Sequence, residues 1–248
     1  MKECNDLNGR IQSIQSYSTV DGPGTRCVVF FQGCPVSCIF CHNPDSWKMD
    51  AGEIISVDDL LRRLERFRVF LYQPGLTLSG GEPLAQPDFA LKLAQKAHDD
   101  GWQVALDTSG WGNTTTLQKI TAYCQLVIFS IKHPLTPALV SKAKHEQTLA
   151  NWHSLAELNI PVWLRYVLIP NLTDQPDALT ALGDLANQVP NLQRLEILPF
   201  NQLAASKWSK LGWENPLFQG EIPLVTEAQI KKAATIVATV LKRPELIH

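Results

Sequence analysis

Between residues 26 and 242, β-rich apolar runs alternate with segments of helical period, and this alternation limits the fold more than any single motif does. RCVVFFQGC (26–34), GLTLSGG (75–81), WQVALDTSG (102–110), QLVIFSIKH (125–133), PVWLRYVLIP (161–170) and RLEILPFN (194–201) read as six strands. ISVDDLLRRLERFRVFL (55–71) reads as a helix, with Ser56 placed to cap it and Leu60, Leu61, Leu64, Phe67 and Leu71 at helical spacing. Further helices are expected from Pro87, over 115–124, over 145–159, near 176–189 and over 226–242. Strands alternating with helices imply parallel pairing through right-handed crossovers. Near-continuous apolar runs suit strands covered on both faces. No G-x-G-x-x-G follows any of the strands, so a barrel, or part of one, is expected rather than a doubly wound sheet.

Polar and special residues gather where these strands finish. Cys34 follows the first, and Ser79-Gly80-Gly81-Glu82-Pro83 the second. Asp107-Thr108-Ser109-Gly110 close the third, Ser130 and Lys132 the fourth, Arg165 lies in the fifth, and Asn201 follows the sixth. Active sites of α/β barrels are built at the C-terminal ends of the strands. Turns favour Gly, Asp, Ser and Pro in any case, and that bland account covers DTSG. It covers Lys132 and Arg165 poorly, because both interrupt apolar strands.

Three of the six cysteines fall in one octapeptide, Cys34, Cys38 and Cys41, spaced C-x3-C-x2-C. Clustering of this kind in a cytosolic chain points to metal rather than disulfides. Three thiolates on a short loop suit a cubane 4Fe–4S cluster and leave one iron open as a binding position. Zinc is the rival, with His42 as a fourth ligand, although structural zinc sites generally use two separated ligand pairs. Cys4, Cys27 and Cys124 stand singly, and Cys27 and Cys124 adjoin apolar runs where a thiol packs as a small hydrophobe. His98, His133, His153 and His248 read as surface or loop residues.

A formal net charge of -2 gives no basic excess for nucleic acid. The start, MKECNDLNGR, has no apolar leader region, and no run is long enough to span a bilayer. A cytoplasmic, single-domain protein over 1–248 is expected, since no linker or low-complexity run divides the 248 residues.

Taken together, the triad, the GGEP stretch and the α/β alternation resemble the radical S-adenosylmethionine (SAM) superfamily. STVDGPGTR (18–26), CHNPDSW (41–47), LTLSGGEP (76–83), LDTSG (106–110), VWLRYVLIP (162–170) and LEILPFNQLAASKW (195–208) are similar, in order, to the pyruvate formate-lyase-activating enzymes. The resemblance implies an open, partial (β/α)6 TIM-like barrel of the radical SAM type. It implies a 4Fe–4S cluster on Cys34, Cys38 and Cys41 whose open iron is chelated by the methionine end of SAM. Electron transfer then cleaves the C5′–S bond, and a hydrogen atom is taken from a glycine Cα of a partner enzyme. Gly80, Gly81 and Glu82 would meet the SAM amino group, with Phe40, Cys41 and His42 along the adenine. Lys132, beside Ser130 and Ile131, would meet the carboxylate or ribose, and Arg165 the nucleoside or peptide. Asp21 matches the position that holds the incoming glycine loop. The implied partners are a pyruvate formate-lyase-like glycyl-radical enzyme and a flavodoxin- or ferredoxin-type electron donor, with no nucleic acid and no membrane. A monomer is expected.

This chain departs from the family pattern twice. Ser130 replaces an aspartate that, with residues matching Asp107 and Thr108, holds a monovalent cation; a neutral oxygen should weaken that site. Asn201 replaces a histidine; it can hydrogen-bond a ribose hydroxyl but cannot titrate. Between Cys41 and Ser79 there is no cysteine, so a ferredoxin-like insert is absent. The chain is also longer than the compact activator of anaerobic ribonucleotide reductase. The seven tryptophans read as packing and rim residues rather than a radical relay, while the resemblance around Trp208 points to the partner interface. Other readings are another glycyl-radical partner, a small-molecule radical SAM enzyme acting on, for example, a deazapurine precursor, an electron carrier, or an inactive iron–sulfur homologue.

Overall fold

The computed structural model describes residues 7–220 and 222–248; Cys4 lies outside them. The strands are β1 (Asn8–Ser18), β2 (Arg26–Phe31), β3 (Glu53–Ser56), β4 (Gly75–Gly80), β5 (Gln103–Thr108), β6 (Leu126–Ser130), β7 (Val162–Leu168) and β8 (Leu192–Pro199). The helices are α1 (Val57–Arg68), α2 (Pro87–Asp99), α3 (Thr114–Thr121), α4 (His145–Ser154), α5 (Pro176–Asn187), α6 (Ala205–Lys210) and α7 (Glu227–Val240). The strand order is β3-β1-β2-β4-β5-β6-β7-β8. All six expected strands are present, as β2 and β4 to β8. The sequence reading missed β1 and β3, which pair antiparallel with each other, β1 also running antiparallel to β2. It also ran β3 into the helix behind it, and it did not anticipate the short α6.

Two compact units can be drawn. The first takes in the described residues up to Pro35, Ser46–Thr108 and Gly112–Ile128. There β4 lies parallel to β2, from Arg26 opposite Gly75 to Phe31 opposite Gly80, and β5 continues parallel to β4. Every residue of β2 and β4 except Phe30 and Gly80 is buried, as parallel strands covered on both faces require. Helix α1 begins where expected: the Ser56 hydroxyl accepts the Asp59 N–H at 3.1 Å, a cap that typically contributes about 1 kcal/mol. It buries Val57, Leu60, Leu61 and Leu64. Phe89 of α2 meets Phe31 edge-on at 5.6 Å.

The second unit comprises Val36–Asp45, Ser109–Trp111 and Phe129–His248. Strands β7 and β8 run parallel, from Val162 opposite Leu192 to Leu168 opposite Pro199. Trp152 of α4 is fully buried, packs on Phe129 at 5.3 Å and donates its indole N–H to the Leu185 carbonyl at 2.9 Å. No helix among the described residues is long and apolar enough to cross a membrane.

Candidate active site

The cysteine loop leaves β2 and is held at both ends by backbone hydrogen bonds. In the first unit, Gly33 N–H donates to Ser46 O at 2.7 Å and Cys34 N–H to Trp47 O at 3.3 Å. In the second, Ile39 N–H donates to Val140 O at 2.9 Å, Lys142 N–H to Val36 O at 2.7 Å and Cys41 N–H to Cys38 O at 3.0 Å. Cys38 is buried, and Cys34 and Cys41 are half-buried. The backbone N–H of Asn43 points at the Cys41 sulfur, 3.3 Å away. An amide aimed at sulfur favours the thiolate that binds iron. Among the described residues, no three His, Cys, Asp or Glu side chains are gathered closely enough to hold a metal ion as they stand. The donor chemistry fits an iron–sulfur centre all the same: soft thiolates at short spacing, one of them receiving a backbone N–H. Zinc would need a fourth ligand, and the sequence's candidate, His42, is exposed, with its ring edge-on to Phe218 at 6.4 Å.

The GGE stretch is fastened to the residue that precedes the first cysteine. Gly81 N–H donates to Phe31 O at 2.8 Å, and Glu82 N–H to Gly33 O at 2.9 Å. A Cβ on Gly81 would lie 2.4 Å from the Gly33 oxygen. Gly80 has φ +102°, and a Cβ there would meet the Phe31 nitrogen at 2.4 Å. Both positions are therefore closed to side chains, Gly80 by β2 and Gly81 chiefly by Gly33 just after it, whatever the backbone also approaches. Glu82 is 1% exposed. Its Oε1 accepts the Thr108 hydroxyl at 2.7 Å and the Leu84 N–H at 3.1 Å. Asp107, half-buried one residue earlier, accepts the Ser79 hydroxyl at 2.8 Å. The ends of β4 and β5 are thus tied through two hydroxyl–carboxylate pairs. Asp21 accepts the Ser18 hydroxyl at 2.5 Å, and its carbonyl accepts the Thr77 hydroxyl at 2.7 Å.

In the second unit, Ser130 ends β6, and Ile131 is buried with its N–H on the Arg165 carbonyl at 3.2 Å. Lys132 lies half-buried, its ammonium 6.0 Å from the centroid of the buried Phe40 ring, within cation–π reach. Arg165 forms a 2.6 Å ion pair with Glu196, directly opposite it on β8. The sequence reading missed Glu196, which Arg194 also contacts at 3.0 Å. Asn201 Oδ1 accepts the Leu203 N–H at 3.1 Å. Trp208 is 6% exposed and serves as a packing residue, its indole lying against Phe218 and Trp213.

His133, read as a surface or loop residue, lies in the loop after β6 and is buried there. Its Nδ1 accepts the N–H groups of Leu135 at 3.2 Å and Thr136 at 3.0 Å. Burial pushes its pKa below the ordinary histidine value; Asp177 raises it and His145 lowers it. The folded state therefore favours neutral imidazole. Stability from this group is present above the unfolded value of about 6.5 and is lost as pH falls through the lower folded value. The urea midpoint is expected to drop on acidification below about pH 6.5, and His133→Gln should flatten that part of the profile. A profile identical in the variant would contradict this.

Residues 28–182 match the Radical SAM superfamily. The chain belongs to this superfamily, and its α/β fold is that of a partial (β/α)6 TIM-like barrel of the radical SAM type. SuiB from Streptococcus suis, in complex with its precursor peptide SuiA, shares the fold. Its TM-score is 0.65 at 12% identity, over 87% of this chain and 46% of that one. Within the superfamily the chain falls among the pyruvate formate-lyase-activating enzymes. It is 35% identical to the one from Clostridium pasteurianum over 213 residues, 84% of this chain and 89% of the relative. It is 35% identical to that of Staphylococcus aureus USA300 over 234 residues, 88% of this chain and 91% of the relative.

Proposed function

We propose that the chain is a glycyl-radical-enzyme activating enzyme, an oxidoreductase acting on pyruvate formate-lyase or a close relative. The observation that carries this reading is the C-x3-C-x2-C loop, whose leading Gly33 is bonded to the GGE stretch at the end of β4. Cys34, Cys38 and Cys41 would hold a 4Fe–4S cluster, and SAM would bind at its open iron. When bound, this pair supplies reductive cleavage of the C5′–S bond and removal of a glycine Cα hydrogen.

The protein's part is to bind, orient and exclude water. Gly80, Gly81 and Glu82 would present the methionine amino group with acceptors, Glu82 as a buried carboxylate. Phe40, Cys41 and His42 would border the adenine, with Ser130, Ile131 and Asn201 along the nucleoside. Lys132 offers a cation for the SAM carboxylate and Arg165, steadied by Glu196, a second one. Asp107 and Thr108 would form the remaining part of a monovalent-cation site. Asp21 would receive the glycine loop of the partner. The electron donor is a flavodoxin or ferredoxin, and the protein acts in the cytoplasm as a monomer, a single radical SAM core over 1–248.

Anaerobic reconstitution should load about four irons per chain, SAM should change the EPR spectrum of the reduced cluster, and addition of a pyruvate formate-lyase should produce a glycyl-radical doublet. Zinc in place of iron, or a spectrum indifferent to SAM, would refute the reading. SAM cleavage without the doublet would remove only the partner.

A further inference from the structure

Within the second unit, the stretch from α6 to Phe218 grips the cysteine loop through two of its backbone carbonyls and two of its side chains. The indole N–H of Trp208 donates to the Cys41 carbonyl at 2.9 Å. The side-chain amide of Asn215 donates to the Ile39 carbonyl at 2.6 Å. Lys207 donates to the side-chain oxygen of Asn43 at 2.7 Å and stands 3.7 Å from Asp45. The gripping groups are themselves fixed. Trp208 is stacked on Phe218 at 5.4 Å, and the Asn215 oxygen caps a short helical turn by accepting the Leu217 N–H at 3.0 Å. Gln202 ties the same turn through the Leu217 carbonyl at 2.6 Å.

We infer that Trp208 and Asn215 are positioning residues that set the backbone of Ile39 to Asn43 for cluster binding before any iron arrives. The carbonyls they hold belong to Cys41 and to the residue after Cys38, so both ligands are fixed through their own or an adjacent peptide group. The plane of the Cys41–His42 peptide is pinned by Trp208, which in turn keeps the Asn43 N–H directed at the Cys41 sulfur. A loop ordered in advance loses less conformational freedom when it takes up its ligand. Partners that orient metal ligands from behind typically change metal affinity about 10- to 100-fold when removed.

The inference rests on the assignment of Cys38 and Cys41 as cluster ligands, and its test separates the two. Trp208→Phe keeps the ring and removes the N–H; Asn215→Ala removes the second donor. In reconstituted protein, iron release to a chelator should accelerate about 10-fold or more in each variant, with the urea midpoint held close to wild type. In the metal-free chain, amide exchange at Cys41 to Asn43 should quicken while β7 and β8 keep their protection. Unchanged release and exchange would overturn the inference, as would faster release that merely tracks lost global stability. A wild-type chain that takes up no iron refutes the functional reading instead, and the exchange measurement then decides the clamp alone.

Discussion

Alanine at Cys34, Cys38 or Cys41 is expected to abolish reductive SAM cleavage and glycyl-radical formation, leaving both at background. The triad has no reserve. Its members lie within one octapeptide, so loss of one leaves two thiolates where the cluster needs three to stay bound and still expose an iron. Neither remaining described cysteine can substitute. Cys27 is buried within β2, its thiol on the Ser16 carbonyl at 3.4 Å, and burial pushes its pKa up to about 11. Cys124 sits three residues beyond α3, its thiol on the Ile120 carbonyl at 3.3 Å, and burial pushes its pKa up to about 12. Both are protonated at neutral pH, and only a thiolate ligates iron. Cys27→Ala and Cys124→Ala therefore serve as controls that keep the iron content and the cleavage rate. Iron analysis and quantitation of 5′-deoxyadenosine check all five variants; cleavage that survives any triad substitution would exclude these residues as the ligand set.

Arg26→Met should be the most damaging substitution away from the cysteines, through stability rather than chemistry. Arg26 opens β2, yet it is 2% exposed, and its guanidinium crosses the starts of β4 and β5. It donates to the Thr77 hydroxyl at 2.8 Å, to the Leu76 carbonyl at 3.0 Å, to the Pro23 carbonyl at 3.3 Å and to the Gln103 carbonyl. Gly75 makes the space: a Cβ there would lie 2.8 Å from the arginine side chain. Burial lowers the Arg26 pKa to about 10, with Cys124 and Asp21 pulling it back up, so it remains charged at neutral pH. Methionine fills much of the volume but leaves a hydroxyl and carbonyls without their donor. Each buried acceptor left without its donor typically costs about 1–3 kcal/mol, and several lose theirs here. Against a usual margin of about 5–15 kcal/mol, that is a large share. Urea unfolding with an unchanged slope is the measurement, and a loss below about 1 kcal/mol would contradict the account.

What could be read from the sequence follows from how each element is buried. Strands β2 and β4 are covered on both faces and announce themselves as apolar runs. Strand β1 does not: Ile11 is deeply buried, but Gln12, Ser13 and Gln15 around it are at least partly exposed, so no run forms. Strand β3 is too short, at four residues, to break the helical pattern that follows it. Site residues divide in the same way. The cysteine spacing is local and was legible. The Arg165–Glu196 pair depends on β7 and β8 being neighbours, and Trp208 reaches Cys41 across 167 positions of chain. Gly80 and Gly81 were read as positions where a ligand comes close; the close neighbours found there are the backbone of Phe30 and Phe31 in β2 and of Gly33 after it.

Strand β3 ends the strand order, and an outer strand is where a foreign chain can add itself by backbone pairing. Here the outer strand is only Glu53–Ser56, and Glu53 is held by a two-pronged ion pair with Arg63 of α1. A docking strand would find few backbone groups to pair with and a charged pair beside them. The short strand β3 thus leaves this edge of the sheet with little to offer a foreign strand. Replacing Glu53 and Arg63 with β-branched apolar residues would turn a protected margin into an adhesive one.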